Sequence, residues 1–388
     1  MPATYNITGV KDELAGMFRG TTVNKITNIN SLFRRAARKV LSKIDPAPTK
    51  RIAQVTLFDE VYTYSAPDDV KGNKVTDIRP QVNRGVEDRL RSRNSLSFDQ
   101  KKLYDNNLFH VTYESATRRL RVKKTTNRAG STVNNCESTT ANGTWAADGT
   151  GATNLTTDTD DFVDGSGSLN FDLASGQSTG YIENSTMSQV DLTDHDEKSS
   201  LFAYVYFPDA SIITNVILRW GNDTSNYWAV TATTPFDRTA FQNGWNLIRF
   251  NWNGATETGT VAPATVDYLR VTITYNQTAE TDIRVDKIFS SLGEIWEIEY
   301  YSELLFRTTG GTWGATVSTD SDLVNLDIES YNLFLDECAL EGAYQMGGAD
   351  LTFDVTKKER DLVEGYRKYK EEYPSEKIIA TESYYRVR

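Results

Sequence analysis

The segment that decides the fold runs from residue 168 to residue 289 and includes LFAYVYF (201–207) and DIRVDKIF (282–289). It is a series of short runs rich in β-branched and aromatic residues, and turn-forming residues separate the runs. The other runs of the series are SLNFDL (168–173), GYIEN (180–184), VILRW (216–220), NYWAV (226–230), WNLIRFNW (245–252) and YLRVTITY (268–275). Short strands at such regular spacing predict an antiparallel β-sandwich or jelly roll.

Alternation within one run predicts which side chains face the core. Successive side chains of a strand point to opposite faces of the sheet. In WNLIRFNW one face therefore carries Trp245, Leu247, Arg249 and Asn251, and the other carries Asn246, Ile248, Phe250 and Trp252. Most of the aromatic residues in this part of the chain are expected in the core.

Both ends of the chain contain helical patterns instead. In NINSLFRRAARKVLSKID the apolar residues form one helical stripe, Asn30 or Ser31 is expected to cap the start, and Asp45-Pro46 follows the end. Two further helices are predicted at about 327–346 and 353–372. Helical and strand segments at both ends are expected to fold together as one α+β domain.

A change of composition near Arg128 marks a domain boundary, because Ser, Thr, Asn, Asp and Gly dominate the next fifty residues. We predict a discontinuous helical domain made of residues 1–128 and 293–388, with the sandwich inserted at 129–292. RRLRVKK (118–124) and EIWEIEYY (294–301) are expected to pair and hold the ends of the insertion together. The fold class is thus multidomain, α+β and all-β.

Charge is distributed unevenly among these segments. The net charge of −11 is the sum of +12 in residues 1–128, −13 in 129–292 and −10 in 293–388. One interpretation is that the segments are separate solvated surfaces. The other is that the basic part lies near DNA or an acidic protein ring, whereas the acidic part faces outward.

The middle segment resembles carbohydrate-binding modules of the jelly-roll type. The resemblance rests on Cys136-Glu137-Ser138 with Trp145, on GSGSLNFDL (165–173), on GWNLIRFNW (244–252) and on DIRVDKIF (282–289). It covers about 40% of the chain. It implies a jelly-roll fold and, more weakly, binding of a glycan.

Two kinds of site follow from this resemblance. A structural Ca²⁺ beside the first and last strands is implied at Glu137 and Asp286, and the alternative is that both carboxylates make hydrogen bonds at the sandwich edge. Sugar binding needs an exposed aromatic platform with polar groups nearby. The platform candidates are Trp220, Tyr227, Trp228 and Trp252.

The outer segments are similar to structural proteins of tailed bacteriophages, and more loosely to head–tail adaptor (connector) proteins. The stretches concerned are INSLFRRAARKVLSKIDP (29–46), VYTYSAPDDVKGNKVTDIRPQVNR (61–84), LVNLDIESYNLFLDECALEGAYQ (323–345) and ERDLVEGYRKYKEEYPSE (359–376). The resemblance implies a subunit of a ring, commonly of twelve, that docks on the portal protein and surrounds the DNA channel. It places the protein in the virion neck, after synthesis in the host cytoplasm.

The basic section supplies candidates for the inner surface of such a ring. They are Arg34, Arg35, Arg38, Lys39, Arg89, Arg91 and Arg93. A channel that lets DNA pass must not grip it, so we expect non-specific contact with the phosphates and no contact with base edges. The alternative is that these residues bind acidic portal, neck or tail proteins.

No catalytic motif is recognisable in the sequence. His110 and His195 are the two histidines, and no zinc-protease, nucleophile-elbow, Walker A or paired-cysteine motif occurs. We therefore predict that the protein is not an enzyme, requires no cofactor and has no membrane segment; the structural Ca²⁺ is what the carbohydrate-binding-module resemblance implies. The leading hypothesis is a head–tail adaptor, the alternative is a virion-surface glycan-binding protein, and the remote alternative is a polysaccharide depolymerase.

Overall fold

A computed structural model describes residues 5–18, 26, 28–81, 89–92, 108–114, 117–123, 130–195, 199–346 and 351–373. The chain divides into two compact units. The helical unit comprises residues 1–55, 66–94 and 297–388, and the sandwich unit comprises residues 56–65 and 95–296.

The described residues form four α-helices and 23 strands. The helices are α1 (Ile7–Met17), α2 (Ile29–Lys43), α3 (Ile328–Gln345) and α4 (Val355–Glu372). The strands are β1 (Tyr5–Asn6), β2 (Lys50–Leu57), β3 (Thr63–Ser65), β4 (Val70–Pro80), β5 (Arg91–Ser92), β6 (Leu108–Glu114), β7 (Thr117–Lys123), β8 (Ser131–Asn134), β9 (Trp145–Ala147), β10 (Ala152–Asp158), β11 (Ser168–Leu173), β12 (Thr179–Asn184), β13 (Ser199–Phe207), β14 (Ile213–Gly221), β15 (Tyr227–Ala232), β16 (Gly244–Asn251), β17 (Thr256–Thr258), β18 (Tyr268–Tyr275), β19 (Glu280–Leu292), β20 (Glu294–Ser302), β21 (Phe306–Arg307), β22 (Trp313–Gly314) and β23 (Leu323–Val324).

Two antiparallel six-stranded sheets form the sandwich. The first sheet has the order β10-β11-β19-β13-β16, and β8 also pairs with β19. The second sheet has the order β17-β15-β14-β18-β12-β9. The chain crosses repeatedly from one sheet to the other, as it does in jelly rolls. The predicted β-sandwich is therefore present.

The sandwich core lies between the inner faces of these sheets. Ile248 and Phe250 are fully buried there, and Asn246 and Trp252 are nearly so, as the alternation in WNLIRFNW predicts. Other members of the core are Leu169, Phe171, Ile182, Leu201, Val205, Val216, Leu218, Val271, Ile273, Ile283 and Val285. Apolar burial of this extent is the main force that holds the two sheets together.

A segment far upstream in the sequence packs on the outer face of the first sheet. The ring of Phe58 contacts Phe202 edge-on at a centroid distance of 5.0 Å, and Phe202 stacks on Phe289 at 5.2 Å. Strand β3 also pairs with β7, which pairs with β6. The sandwich unit therefore includes 56–65 and 95–128, which the predicted boundaries assigned elsewhere. The functional roles given to the predicted domains stay a prediction.

Helix packing forms the core of the helical unit. Helix α2 buries Leu32, Phe33, Ala36 and Val40 against α3, whose Phe334 contacts Phe33. The Asn28 side chain caps α2 by accepting from Ser31 N at 2.9 Å, so the predicted caps Asn30 and Ser31 are wrong by two or three residues. The helices predicted at about 327–346 and 353–372 correspond to α3 and α4.

The predicted pairing of residues 118–124 with 294–301 is wrong. Strand β7 pairs with β3 and β6, whereas β20 lies between β2 and β4. Both segments have strand character, but strand character does not specify a partner. No helix among the described residues is long and apolar enough to cross a membrane.

Candidate functional site

Three of the four predicted platform residues belong to the core. Trp220, Trp228 and Trp252 are exposed by 0%, 7% and 3%, and their rings pack on one another at centroid distances of 5.0 to 6.3 Å. A buried ring has no face left for a sugar, so the prediction that these tryptophans form an exposed platform is wrong. Tyr227, the fourth candidate, is half-buried and lies on the outer face of the second sheet.

A row of charged side chains crosses that outer face. Glu183 of β12 is directly opposite Arg270 of β18, and Arg270 is directly opposite Arg219 of β14. All three are partly exposed, because the residues directly before and after each of them in its strand point into the core. Residues opposite each other on adjacent strands are close enough for their side chains to interact. The row therefore forms one polar surface, although its members are far apart in the sequence.

Tyrosine rings flank the row. The guanidinium carbon of Arg219 lies 4.6 Å from the centre of the Tyr227 ring, and that of Arg270 lies 4.1 Å from the centre of the Tyr181 ring. Tyr268 is buried beside them and donates its hydroxyl to Glu183 at 3.3 Å. Contacts of a cation over a ring hold long side chains in place. The surface thus combines ordered aromatic rings with hydrogen-bonding groups, and we call these six residues the Arg219–Arg270 face.

Glu183 pairs with one of the two arginines. Its Oε2 accepts from Arg270 at 2.5 and 2.9 Å. Burial lowers the pKa of Arg270, but the hydrogen bond with Glu183 and the electrostatic attraction of Tyr268, Glu183 and Tyr181 together outweigh burial and raise the pKa overall. Burial also raises the pKa of Tyr268 to about 12, so this hydroxyl stays protonated at neutral pH. The sequence alone did not identify Glu183, Arg219, Arg270 or Tyr181 as site residues.

The outer face of the first sheet carries another aromatic pair, Tyr206 and Trp245, whose polar neighbours are already bonded. The indole Nε1 of Trp245 donates to Asp161 at 2.9 Å, and Arg284 pairs with Asp158 at 2.6 Å. The guanidinium carbon of Arg284 lies 4.7 Å from the ring centre of Tyr206. Part of this sheet is also covered by Phe58. Less of it is therefore available to a ligand.

The predicted metal residues Glu137 and Asp286 hold one loop. Asp286 Oδ2 accepts from the backbone N–H groups of Val163 and Asp164 at 2.7 and 2.9 Å, and Glu137 Oε2 accepts from Ser166 Oγ at 3.1 Å. Gly165 between them has a φ of +73°, and a Cβ there would lie 2.3 Å from Glu137 Oε1. The two carboxylates therefore fix the loop at the sandwich edge, as the alternative interpretation expects.

One oxygen at this place is suited to a cation. Asp286 is fully buried, and its Oδ1 has no hydrogen-bond partner among the described residues. Burial raises the pKa of Asp286, although the N–H groups of Asp164 and Val163 oppose the rise. Within the described ranges no group of three or more His, Cys, Asp or Glu residues is placed to hold a metal. Backbone carbonyls would have to supply most ligands of a Ca²⁺ ion, and the ion stays a prediction.

Four of the basic candidates, Arg34, Arg35, Arg38 and Lys39, lie on α2, and two of these four are paired with a carboxylate. Lys39 pairs with Glu341 at 2.6 Å, and Arg35 reaches the same glutamate at 3.4 Å. Arg89 approaches Asp77 at 3.5 Å. Arg34 and Arg38 are exposed on α2. The Arg91 side chain and the whole of Arg93 lie outside the described residues.

No protein-family model and no curated protein sequence matches the chain. Solved structures do match parts of it. A family 30 carbohydrate-binding module aligns over 44% of this chain and 98% of its own, with 12% identity and a TM-score of 0.30. The CBM22-1 xylan-binding domain from Paenibacillus barcinonensis Xyn10C aligns over 43% and 97%, with 15% identity and a TM-score of 0.26. An exo-beta-agarase aligns over 42% and 24%, with 9% identity and a TM-score of 0.28. These similarities assign no function to this chain.

Proposed function

We propose that this chain is a glycan-binding protein and that the Arg219–Arg270 face is its binding surface. One observation carries the proposal: the register of three strands places Glu183, Arg270 and Arg219 in a row, with the rings of Tyr181 and Tyr227 beside it. Sugars bind on ring faces and through hydroxyl groups that meet charged or amide side chains.

The face also has the length that a stretch of polysaccharide needs. Adjacent strands are about 4.8 Å apart, so the three-strand row spans about 10 Å, roughly the length of two sugar units. Its side chains are held by contacts with one another, which reduces the entropy lost on binding. A preformed surface of this kind suits an extended chain of sugars better than a small molecule, which would need a concave pocket.

The test compares two tyrosine variants in the full chain. We expect Tyr227→Ala to weaken binding to an immobilised glycan array about 10- to 30-fold, because a central contact residue is removed. Tyr206→Ala is the matched control, since Tyr206 also lies under a guanidinium group but on the first sheet. It should leave binding unchanged. Circular dichroism checks that both variants remain folded.

Each outcome has a defined meaning. Loss of binding in Tyr227→Ala alone supports the proposed face. Loss in Tyr206→Ala alone would move the site to the first sheet. Absence of saturable binding to every glycan on the array by the wild-type chain would contradict the proposal itself.

A second candidate function is the assembly role that the phage resemblance implies. It is supported by apolar side chains that the helical unit exposes on its last two helices, Ile328 by 59%, Tyr344 by 54% and Val363 by 67%. Exposed apolar groups of this size often mark protein–protein contacts. Exposed Arg34 and Arg38 would add attraction to an acidic partner or to DNA phosphates.

This second proposal commits to a self-assembling ring. Twelve copies of the 43.6 kDa chain have a mass of about 520 kDa. Mass photometry of the purified chain should detect closed rings near that mass. A monomer at every concentration would contradict the ring, and it would leave the glycan-binding proposal intact.

A further inference from the structure

The Arg219–Arg270 face contains an uncompensated positive charge. Arg219 and Arg270 are directly opposite on adjacent strands, and the single carboxylate of the face, Glu183, bonds to Arg270. Glu183 lies two strands away from Arg219, roughly 10 Å by the spacing of strands in a sheet. Among the residues that the structure describes, no carboxylate is within ion-pair distance of Arg219, and its buried Nε has no hydrogen-bond partner.

An arrangement of this kind costs stability. Like charges that face each other across two strands are destabilising, and a buried donor without an acceptor adds to the cost. The stacking of Arg219 on Tyr227 fixes the guanidinium but does not neutralise it. A ligand that brings a negative charge to the exposed part of the Arg219 guanidinium would offset the like-charge repulsion.

From this we infer that the face selects acidic glycans, polysaccharides whose sugars carry a carboxylate or a sulfate, with Arg219 as the residue that binds the anionic group. This inference rests on the proposed glycan-binding function. A carboxylate or sulfate matches the planar fork of donors on an arginine, and it accepts two hydrogen bonds from it. Tyr227 beside Arg219 would contact the ring of the same sugar.

The overall charge of the middle segment is the main objection. Residues 129–292 have a net charge of −13, which repels a polyanion at long range. At physiological ionic strength, however, charges farther than about 8 Å are largely screened. The direct contact with Arg219 lies inside that distance and most of the acidic surface lies outside it. Binding should therefore be measured near physiological salt.

The experiment uses pairs of polymers in which one kind of anionic group is present or masked. The full chain is titrated calorimetrically with polygalacturonate and its methyl-esterified form, and with chondroitin sulfate and desulfated chondroitin, which keeps its carboxylates. A glycan array with neutral and acidic polysaccharides is run in parallel. We expect the ligands bound to be acidic. Methyl esterification should abolish binding if Arg219 takes a carboxylate, and desulfation should abolish it if Arg219 takes a sulfate. The pair that responds distinguishes a carboxylate from a sulfate.

Arg219→Gln removes the charge and keeps a polar side chain of similar length. It should weaken binding to the acidic polymer about 10- to 150-fold, the range expected for loss of a charge-assisted hydrogen bond. Its unfolding temperature should be unchanged or higher, because the like-charge pair is gone. Arg34→Gln is the matched control, since it makes the same charge change on α2 and should bind as the wild type does.

Two results would overturn the inference. If the chain binds neutral polysaccharides and Arg219→Gln binds them equally well, selection for acidic glycans is refuted and the glycan-binding function stands. If the wild-type chain binds nothing on the array, both proposals fail together. Lower affinity accompanied by a lower unfolding temperature in Arg219→Gln would assign the residue a structural role. Arg219→Lys, which keeps the charge without the two-donor fork, would then have to recover part of the lost binding for the inference to survive.

Discussion

Replacing Trp220 by alanine should destabilise the sandwich by about 3–5 kcal/mol, because the ring is fully buried among other core residues. A buried tryptophan removes up to about 250 Å² from water, which corresponds to roughly 6 kcal/mol at 25 cal/mol per Å². Partial collapse of the cavity reduces that figure to the expected range. The value tests the conclusion that this tryptophan is a core residue and not a sugar platform.

Hydrogen exchange with mass spectrometry suits the measurement, because it reads the sandwich inside the full chain. Amides of β14 and β18 that open by unfolding of the sandwich should exchange roughly 150- to 5,000-fold faster in Trp220→Ala. Trp220→Phe is the matched control. It keeps an aromatic ring and removes an indole N–H that has no acceptor among the described residues. The smaller ring destabilises the core and removal of the unpaired N–H stabilises it, so we expect the free energy of unfolding to fall by less than about 1.5 kcal/mol.

The reasoning would be refuted by a Trp220→Ala variant that keeps the exchange rates of the wild type and loses glycan binding. That pattern belongs to an exposed contact residue. Tyr227→Ala is expected to behave in that way, with little change in exchange, because Tyr227 is half-buried on the outer face.

Three further predictions concern charged groups. Burial lowers the pKa of His195, so the folded state resists protonation of this imidazole. The sandwich should therefore lose stability as the pH falls below about 6.5. In thermal scans, the unfolding temperature of His195→Gln should depend less on pH in this range. Burial raises the pKa of Asp286, so this carboxyl affects stability in the opposite direction: the folded state should become more stable as the pH falls through the folded-state pKa. Millimolar CaCl₂ should raise the unfolding temperature of the wild type and not of Asp286→Asn. Equal responses of the two proteins would remove the case for a Ca²⁺ ligand at Asp286. Lys39 and Lys43 both pair with Glu337, which is 2% exposed. In urea, the free energy of unfolding of a Lys39→Met/Lys43→Met variant should be about 3–5 kcal/mol lower than that of the wild type, and adding Glu337→Gln should restore most of the loss. A double variant as stable as the wild type would show that these lysines are not required by the fold.

The fold of the sandwich follows closely from local sequence. Alternation in WNLIRFNW placed Ile248 and Phe250 in the core and Arg249 outside it, because the two-residue period of a strand fixes which side chains share a face. The helices α3 and α4 were also visible in the sequence, α3 from its capping and stop residues and α4 from its apolar stripe. Segment 56–65 was not assigned to the sandwich, since nothing local in it indicates that Phe58 packs on Phe202, more than a hundred residues later.

The binding face was harder to predict. Large aromatic residues draw attention in a sequence, yet Trp220, Trp228 and Trp252 are buried because a large apolar ring gains most by leaving water. Strand alternation does place Arg219, Arg270, Glu183 and Tyr181 away from the core. It does not say that their strands are neighbours, and it gives no register.

The sequence by itself determined the types of the elements, the sandwich and its core residues, because periodicity and turn residues act over a few positions. Tertiary structure decided which strands are adjacent and therefore which charges meet. The register places Arg219 and Glu183 on either side of Arg270, each directly opposite it, so that Glu183 pairs with Arg270 and not with Arg219. Such pairings depend on the simultaneous packing of many distant segments, and no short stretch of sequence encodes them.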